Sequence, residues 1–137
     1  MDCEFAIDQE IAIRSGEQYF DLHNDFDFVG LDYRPAARTA ILRWKRGTGS
    51  WVPANAPAEL VLTFHDVANF AVRRRDDEMP RSEDDCLQSM TFTPPEFVTD
   101  FESCFGGYRS PDEHIAFLFQ SGAALKVWAQ RAILEVR

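Results

Sequence analysis

Cysteine is scarce in this chain: Cys3, Cys86 and Cys104 are three in number with no close pair, which excludes a disulfide scaffold and favours a reducing compartment. Basic residues are missing from the start MDCEFAIDQE, where a secretory leader would place them, so no signal peptide is expected and the location predicted is cytoplasmic. No apolar run approaches the roughly 18–20 residues that span a bilayer. The motifs of common chemistry are absent too. Gly47-Thr-Gly-Ser-Trp puts its serine outside the G-x-S-x-G position, and neither a phosphate-binding loop nor a dinucleotide fingerprint occurs. An enzyme with recognisable local chemistry is therefore disfavoured, no catalytic residue is assigned, and catalysis by residues that meet only in the fold stays open.

What is present fits one domain. A length of 137 residues, 45% of them apolar and 27% charged, suffices for a single hydrophobic core without disulfides or a structural metal, so 1–137 reads as one unit. Twelve phenylalanines favour strands and a β-rich core. The net charge is −9, and it is unevenly spread. From Asp76 to Glu113, eleven acids face two arginines, Arg81 and Arg109, while the remainder balances. Bulk binding to nucleic acid or to an anionic membrane is thereby excluded, and a cationic partner would be steered to that region.

The periodicity is mostly that of strands. Phe5, Ile7, Ile11 and Ile13 share one parity, with a break around Asp8-Gln9-Glu10. Phe20, Leu22, Phe26 and Phe28 share the other until Val29, Leu31 and Tyr33 switch it, which predicts a β-bulge at or near Gly30. Ala40, Leu42 and Trp44 begin the next strand, a Gly/Pro-punctuated loop covers 47–57, and Leu60, Leu62 and Phe64 follow. A kink at Asp66-Val67 separates these from a short strand, Asn69 to Arg75. After the acidic stretch 76–85, Cys86, Gln88, Met90 and Phe92 are expected on one strand face. Thr93-Pro94-Pro95-Glu96 has the form of a capping box, and Phe97, Phe101, Cys104 and Phe105 recur at helical spacing before Gly106-Gly107, which predicts a helix over 94–105. A hairpin turning at Ser121-Gly122 and a last strand, Ala132 to Val136, complete the chain. The fold class expected is all-β, marginally α+β: an antiparallel sandwich or barrel of about eight to ten short strands with that one helix.

Each candidate site has a plain structural alternative. Asp76, Asp77, Glu78, Glu83, Asp84 and Asp85 could gather around calcium, but their spacing matches no EF-hand, and they read instead as a solvated loop or as a docking surface for a basic protein. Arg73-Arg74-Arg75, directly before them, can pair with that loop. Asp21, His23, Asp25 and Asp27 form a polar row that suits the solvent face of a strand better than a transition-metal site or a general base at His23. His65-Asp66 and Glu113-His114 read as local hydrogen-bond or turn features, Cys104 as a buried thiol, and Cys86 as a thiol whose acidic neighbours discourage nucleophilic use. Trp51, on the 47–57 loop, is either a lid over one end of the core or an anchor for a partner. No metal or cofactor is assigned.

The segments LVLTFHDVANF (60–70) and FLFQSGAALKVWA (117–129), on a short β-rich chain, resemble small uncharacterised bacterial proteins, some of them toxin-immunity proteins. The resemblance spans the middle and C-terminal two thirds and carries no residue roles. It implies a stoichiometric binder, and the segregated acids, with Trp51, would then face a basic protein partner. The alternatives are a small-molecule-binding or enzymatic β-barrel and a homo-oligomer joined through exposed edge strands.

Overall fold

A computed structural model describes residues 1–101 and 112–137. Ten strands run in chain order among the described residues: β1 (Asp2–Cys3), β2 (Ala6–Asp8), β3 (Ala12–Ser15), β4 (Gln18–Asp21), β5 (Phe26–Arg34), β6 (Thr39–Arg46), β7 (Glu59–Arg73), β8 (Leu87–Thr93), β9 (His114–Phe119) and β10 (Ala124–Val136). The expected all-β class holds. Six strands form one antiparallel sheet in the order β5-β6-β7-β10-β9-β8, with β1 added parallel to β10, and β2-β3-β4 form a small second sheet.

The large sheet curls until its two end strands meet. The Phe28 N–H of β5 donates to the Asp85 carbonyl just ahead of β8 at 2.8 Å, and the Phe28 ring lies 4.7 Å from that of Phe119 on β9. The concave face carries Leu42, Trp44, Leu60, Leu62, Phe64, Ile115, Phe117 and Val127, all buried, and the small sheet adds Ile13, Phe20 and Leu22 to the same core. Aromatic rings thread this core from Phe28 to Trp44 to Phe117 to Phe64 at centroid separations of 5.2, 6.0 and 6.2 Å. Such pairs contribute beyond area burial alone. The small sheet is tied down by the backbone, with Met90 donating to the Glu10 carbonyl at 2.7 Å.

Irregularities fall where the residue parity changes. The β5–β6 register shifts between Phe28 and Gly30, leaving Val29 as the extra residue of the expected bulge. At Asp66, φ is 53°, and Ala68 is the extra residue where the register with β10 shifts. The kink at Asp66-Val67 is therefore present, yet pairing with β10 continues through it. Thus 59–73 is one strand of fifteen residues rather than two, and the last two predicted strands are likewise one strand of thirteen. On β8 the register shifts between Leu87 and Ser89, so Leu87 and Met90 point inward while Gln88 is exposed, in place of the single face 86-88-90-92.

The largest departure from expectation lies at 94–101, where the chain makes a short 3-10 turn, Pro95–Phe97, instead of beginning a long helix. Residues 102–105 of the expected helix lie outside the described residues. Thr93 does not cap, because it belongs to β8, pairs with His114 and has a buried side chain, leaving Pro94 at the cap position without a side-chain bond. The carbonyls of Phe97 and Asp100 accept bonds from the Lys126 ammonium, each at 2.5 Å. Tertiary contacts thus override the local helix signal, as they do when an alternative set of polar partners is available.

Candidate functional site

Two features far apart in sequence converge on the turn that joins β4 to β5. Asp21 builds this turn: one carboxylate oxygen accepts from the backbone N–H of His23 at 3.0 Å and of Asn24 at 2.8 Å, and the other accepts from the Asn24 side chain. The Asp25 N–H closes the loop onto the Asp21 carbonyl at 3.0 Å. Residues 21, 23 and 25 are consequently positions of an Asx-type turn, not the alternating face of a strand. A short carboxylate that bonds the backbone two residues on has the same spacing as a strand alternation, which is why parity misplaces it.

Trp51 comes to one side of this turn. Its indole N–H donates to the Asn24 carbonyl at 2.7 Å, and its ring covers Gly49 so closely that a β-carbon there would stand 2.4 Å from the ring. The glycine is therefore required for the indole to lie flat. The ring is nevertheless 70% exposed, so Trp51 does not serve as a lid over the core. An aromatic side chain fixed at its polar end and open on its face has the form of a recognition anchor.

The end of the acidic loop also reaches this turn. Asp85 binds β5 through its carbonyl, and the His23 ring nitrogen Nδ1 lies 2.5 Å from the Leu87 carbonyl. Since a carbonyl only accepts, Nδ1 carries the proton. Cys86 Sγ lies 3.9 Å from that same nitrogen, which therefore has no lone pair with which to take the thiol proton. Burial pushes the Cys86 thiol up, followed by the charges of Glu83, Asp85 and Asp27. A Cys-His nucleophile is disfavoured by both facts, in line with the acidic neighbours seen in the sequence.

The six loop acids do not act as one cluster. Asp77 pairs with Arg74, and Asp84 with Arg75 at 2.7 Å, while Arg75 also donates to the Met79 carbonyl at 2.6 Å. Asp76 accepts from the Glu78 N–H at 2.9 Å. The arginine triplet thus folds back on the loop. Both ion pairs are partly or fully solvated and contribute little to stability, but they neutralise two of the acids. Glu83, Asp85 and Asp27 all lie close enough to Cys86 for their charges to raise its thiol. Among the described residues no group of three metal-ligating side chains comes together.

Beside the same turn lies a cavity of about 360 Å³, walled by Phe26, Pro53, Pro57 and Val136, with Tyr19, Asp25 and Asn55 among its polar residues. Burial, then the charge of Asp21, raises the Asp25 carboxyl above its usual range. The Tyr19 phenol is also raised, first by desolvation and then by Asp21 and Asp8, against the opposing effect of Arg14. Sequence reasoning missed Tyr19 and Asn55 here and gave Asp25 another setting, because the cavity exists only where the 53–57 loop crosses β4.

A second polar group was also missed, on the convex face of the sheet. Lys126, His114, Thr91 and Thr93 are buried there, with Glu113 at the edge. The segment 95–101 lies over Lys126, whose ammonium sits 5.2 Å from the Phe101 ring centre, with Arg73 5.8 Å away from the same ring. Burial, and secondarily the Lys126 charge, pushes His114 down to about 4. Neither ring nitrogen of His114 has a hydrogen-bond partner among the described residues, so it is a neutral core histidine rather than a local turn feature. The only sequence signal was its parity, opposite to Ile115 and Phe117. Cys104 lies outside the described residues.

No helix among the described residues is long and apolar enough to cross a membrane. Comparison of the chain with protein-family models, with curated proteins and with solved structures found no match.

Proposed function

We propose that this chain is a protein-binding domain of the immunity-inhibitor kind, acting in the cytoplasm, that docks a basic protein partner on the surface around the 21–27 turn. The observation that carries the reading is that an exposed, tethered Trp51 and the acids Asp27, Glu83 and Asp85 are all brought to the region of one short turn. An exposed aromatic anchor beside a patch of one charge sign is the composition of a hot spot with electrostatic steering. The rigid barrel wall behind it means that little order has to be gained on binding.

This reading narrows the role of the acidic loop. Asp77 and Asp84 are already paired within the chain, and Asp76 and Glu78 lie at the far end of the loop. Capture from the native lysate at about 0.05 and 0.5 M salt provides the test. A basic protein should be retained by the wild type at low salt and lost at high salt. It should be lost at low salt from Trp51→Ala and from the triple variant Asp27→Asn/Glu83→Gln/Asp85→Asn. Retention by both variants at high salt contradicts the proposal.

A further inference from the structure

Beyond the surface itself, we propose that the cavity beside the 21–27 turn is a subsite for an alkylguanidinium group, supplied by an arginine side chain of the basic partner. The inference rests on the proposed docking surface and adds the chemistry of one contact within it. Among the described residues, Asp25 supplies the only charged side chain of the cavity wall, and no cationic side chain lines it. The carboxylate has no hydrogen-bond or ion-pair partner among the described residues, although its own backbone is fixed by the Asp21 carbonyl and by the Gly47 N–H. Two arginines that touch residues of the cavity wall already have partners. Arg14 is held by Asp8 through two bonds, at 2.6 and 3.0 Å, and Arg46 donates to the Ala56 carbonyl at 2.8 Å.

A planar guanidinium fits this wall better than an ammonium. It is weakly hydrated, pairs with a carboxylate through two parallel bonds, and tolerates apolar and aromatic surfaces on its faces. Phe26, Pro53, Pro57 and Val136 supply such surfaces, while Asn55 and Gln18 can accept the donors that the carboxylate leaves over. Tyr19 already takes a guanidinium, that of Arg14, 5.1 Å from its ring centre. The proton affinity of Asp25 is raised by burial and then by the Asp21 charge, with no cation acting to lower it.

The test is a two-dimensional amide NMR titration with Nα-acetyl-arginine amide, Nα-acetyl-lysine amide and the neutral isostere Nα-acetyl-citrulline amide. The arginine probe should shift the amides of Tyr19, Asp25, Asn55 and Val136 saturably, and the citrulline probe should bind weaker by about tenfold or more. Asp25→Asn should abolish the saturable shift without changing the rest of the spectrum, and Glu83→Gln should leave it in place. Equal response to arginine and citrulline, or an undiminished response in Asp25→Asn, overturns the assignment while leaving the salt-sensitive capture of a partner untouched. The source of the group is read from the captured partner. Its affinity should fall about tenfold or more with Asp25→Asn. An unchanged affinity, with the arginine probe still bound, would overturn the partner as the source and leave a free guanidinium compound as the ligand.

Discussion

Acidification should destabilise this fold through one residue, His114. The ring is fully buried on the convex face of the sheet, has no hydrogen-bond partner for either nitrogen among the described residues, and is held to about 4 by burial and by the nearby Lys126 charge. In the unfolded chain a histidine titrates near 6.5. Between these values the unfolded state binds a proton that the folded state refuses, so stability is lost as pH falls from about 6.5 and the loss is complete below about 4. The shift corresponds to about 3 kcal/mol in full, of which roughly a third to a half appears by pH 5.5 and most by pH 4.5. Carboxylates also titrate over part of this range, so the comparison is made against His114→Leu, which keeps their contribution and removes the imidazole. At neutral pH that variant should match or exceed the wild type, because leucine fills a similar volume and leaves no polar atom buried without a partner. Urea unfolding of both proteins across the range gives the difference directly. Stability profiles that run parallel from neutral pH to pH 4.5, within about 0.5 kcal/mol, would refute the reasoning.

Two further stability predictions follow from local geometry. Lys126→Met should cost roughly 2–4 kcal/mol in urea unfolding, because the buried ammonium that bonds the carbonyls of Phe97 and Asp100, and so holds the half-buried segment over it, is lost. The double change Gln9→Asn/Glu10→Gly should raise stability by about 1 kcal/mol in thermal or urea unfolding, because both positions have positive φ, 53° and 61°, in the turn from Asp8 to Ile11.

The strands, the bulge after Phe28 and the kink at Asp66 were legible because each leaves a mark in residue parity, which depends on near neighbours alone. Strand length was less legible. The extra residue at Ala68 breaks the alternation without breaking the pairing, so β7 reads as two pieces. The segment after Thr93 shows a different failure, since every local helix signal was present and was outweighed by a lysine about thirty residues further on. Lys126 itself looks like an ordinary outward residue between Leu125 and Val127, and nothing nearby in sequence reports the segment that covers it. The same holds for the site. Trp51 and the acidic loop were each visible as exposed, chemically distinctive stretches, whereas their meeting at the 21–27 turn depends on the curl of the sheet. The arginines before the loop gave the one readable warning that its formal charge would be partly cancelled.

The central claim, that acids beside the turn steer a basic partner onto Trp51, is tested most directly by the association rate of the captured partner as a function of salt. The wild-type rate should fall steeply between about 0.05 and 0.5 M salt. In the Asp27→Asn/Glu83→Gln/Asp85→Asn variant it should be slower at low salt and nearly flat across the series. A variant with the wild-type rate and the wild-type salt slope would contradict the account.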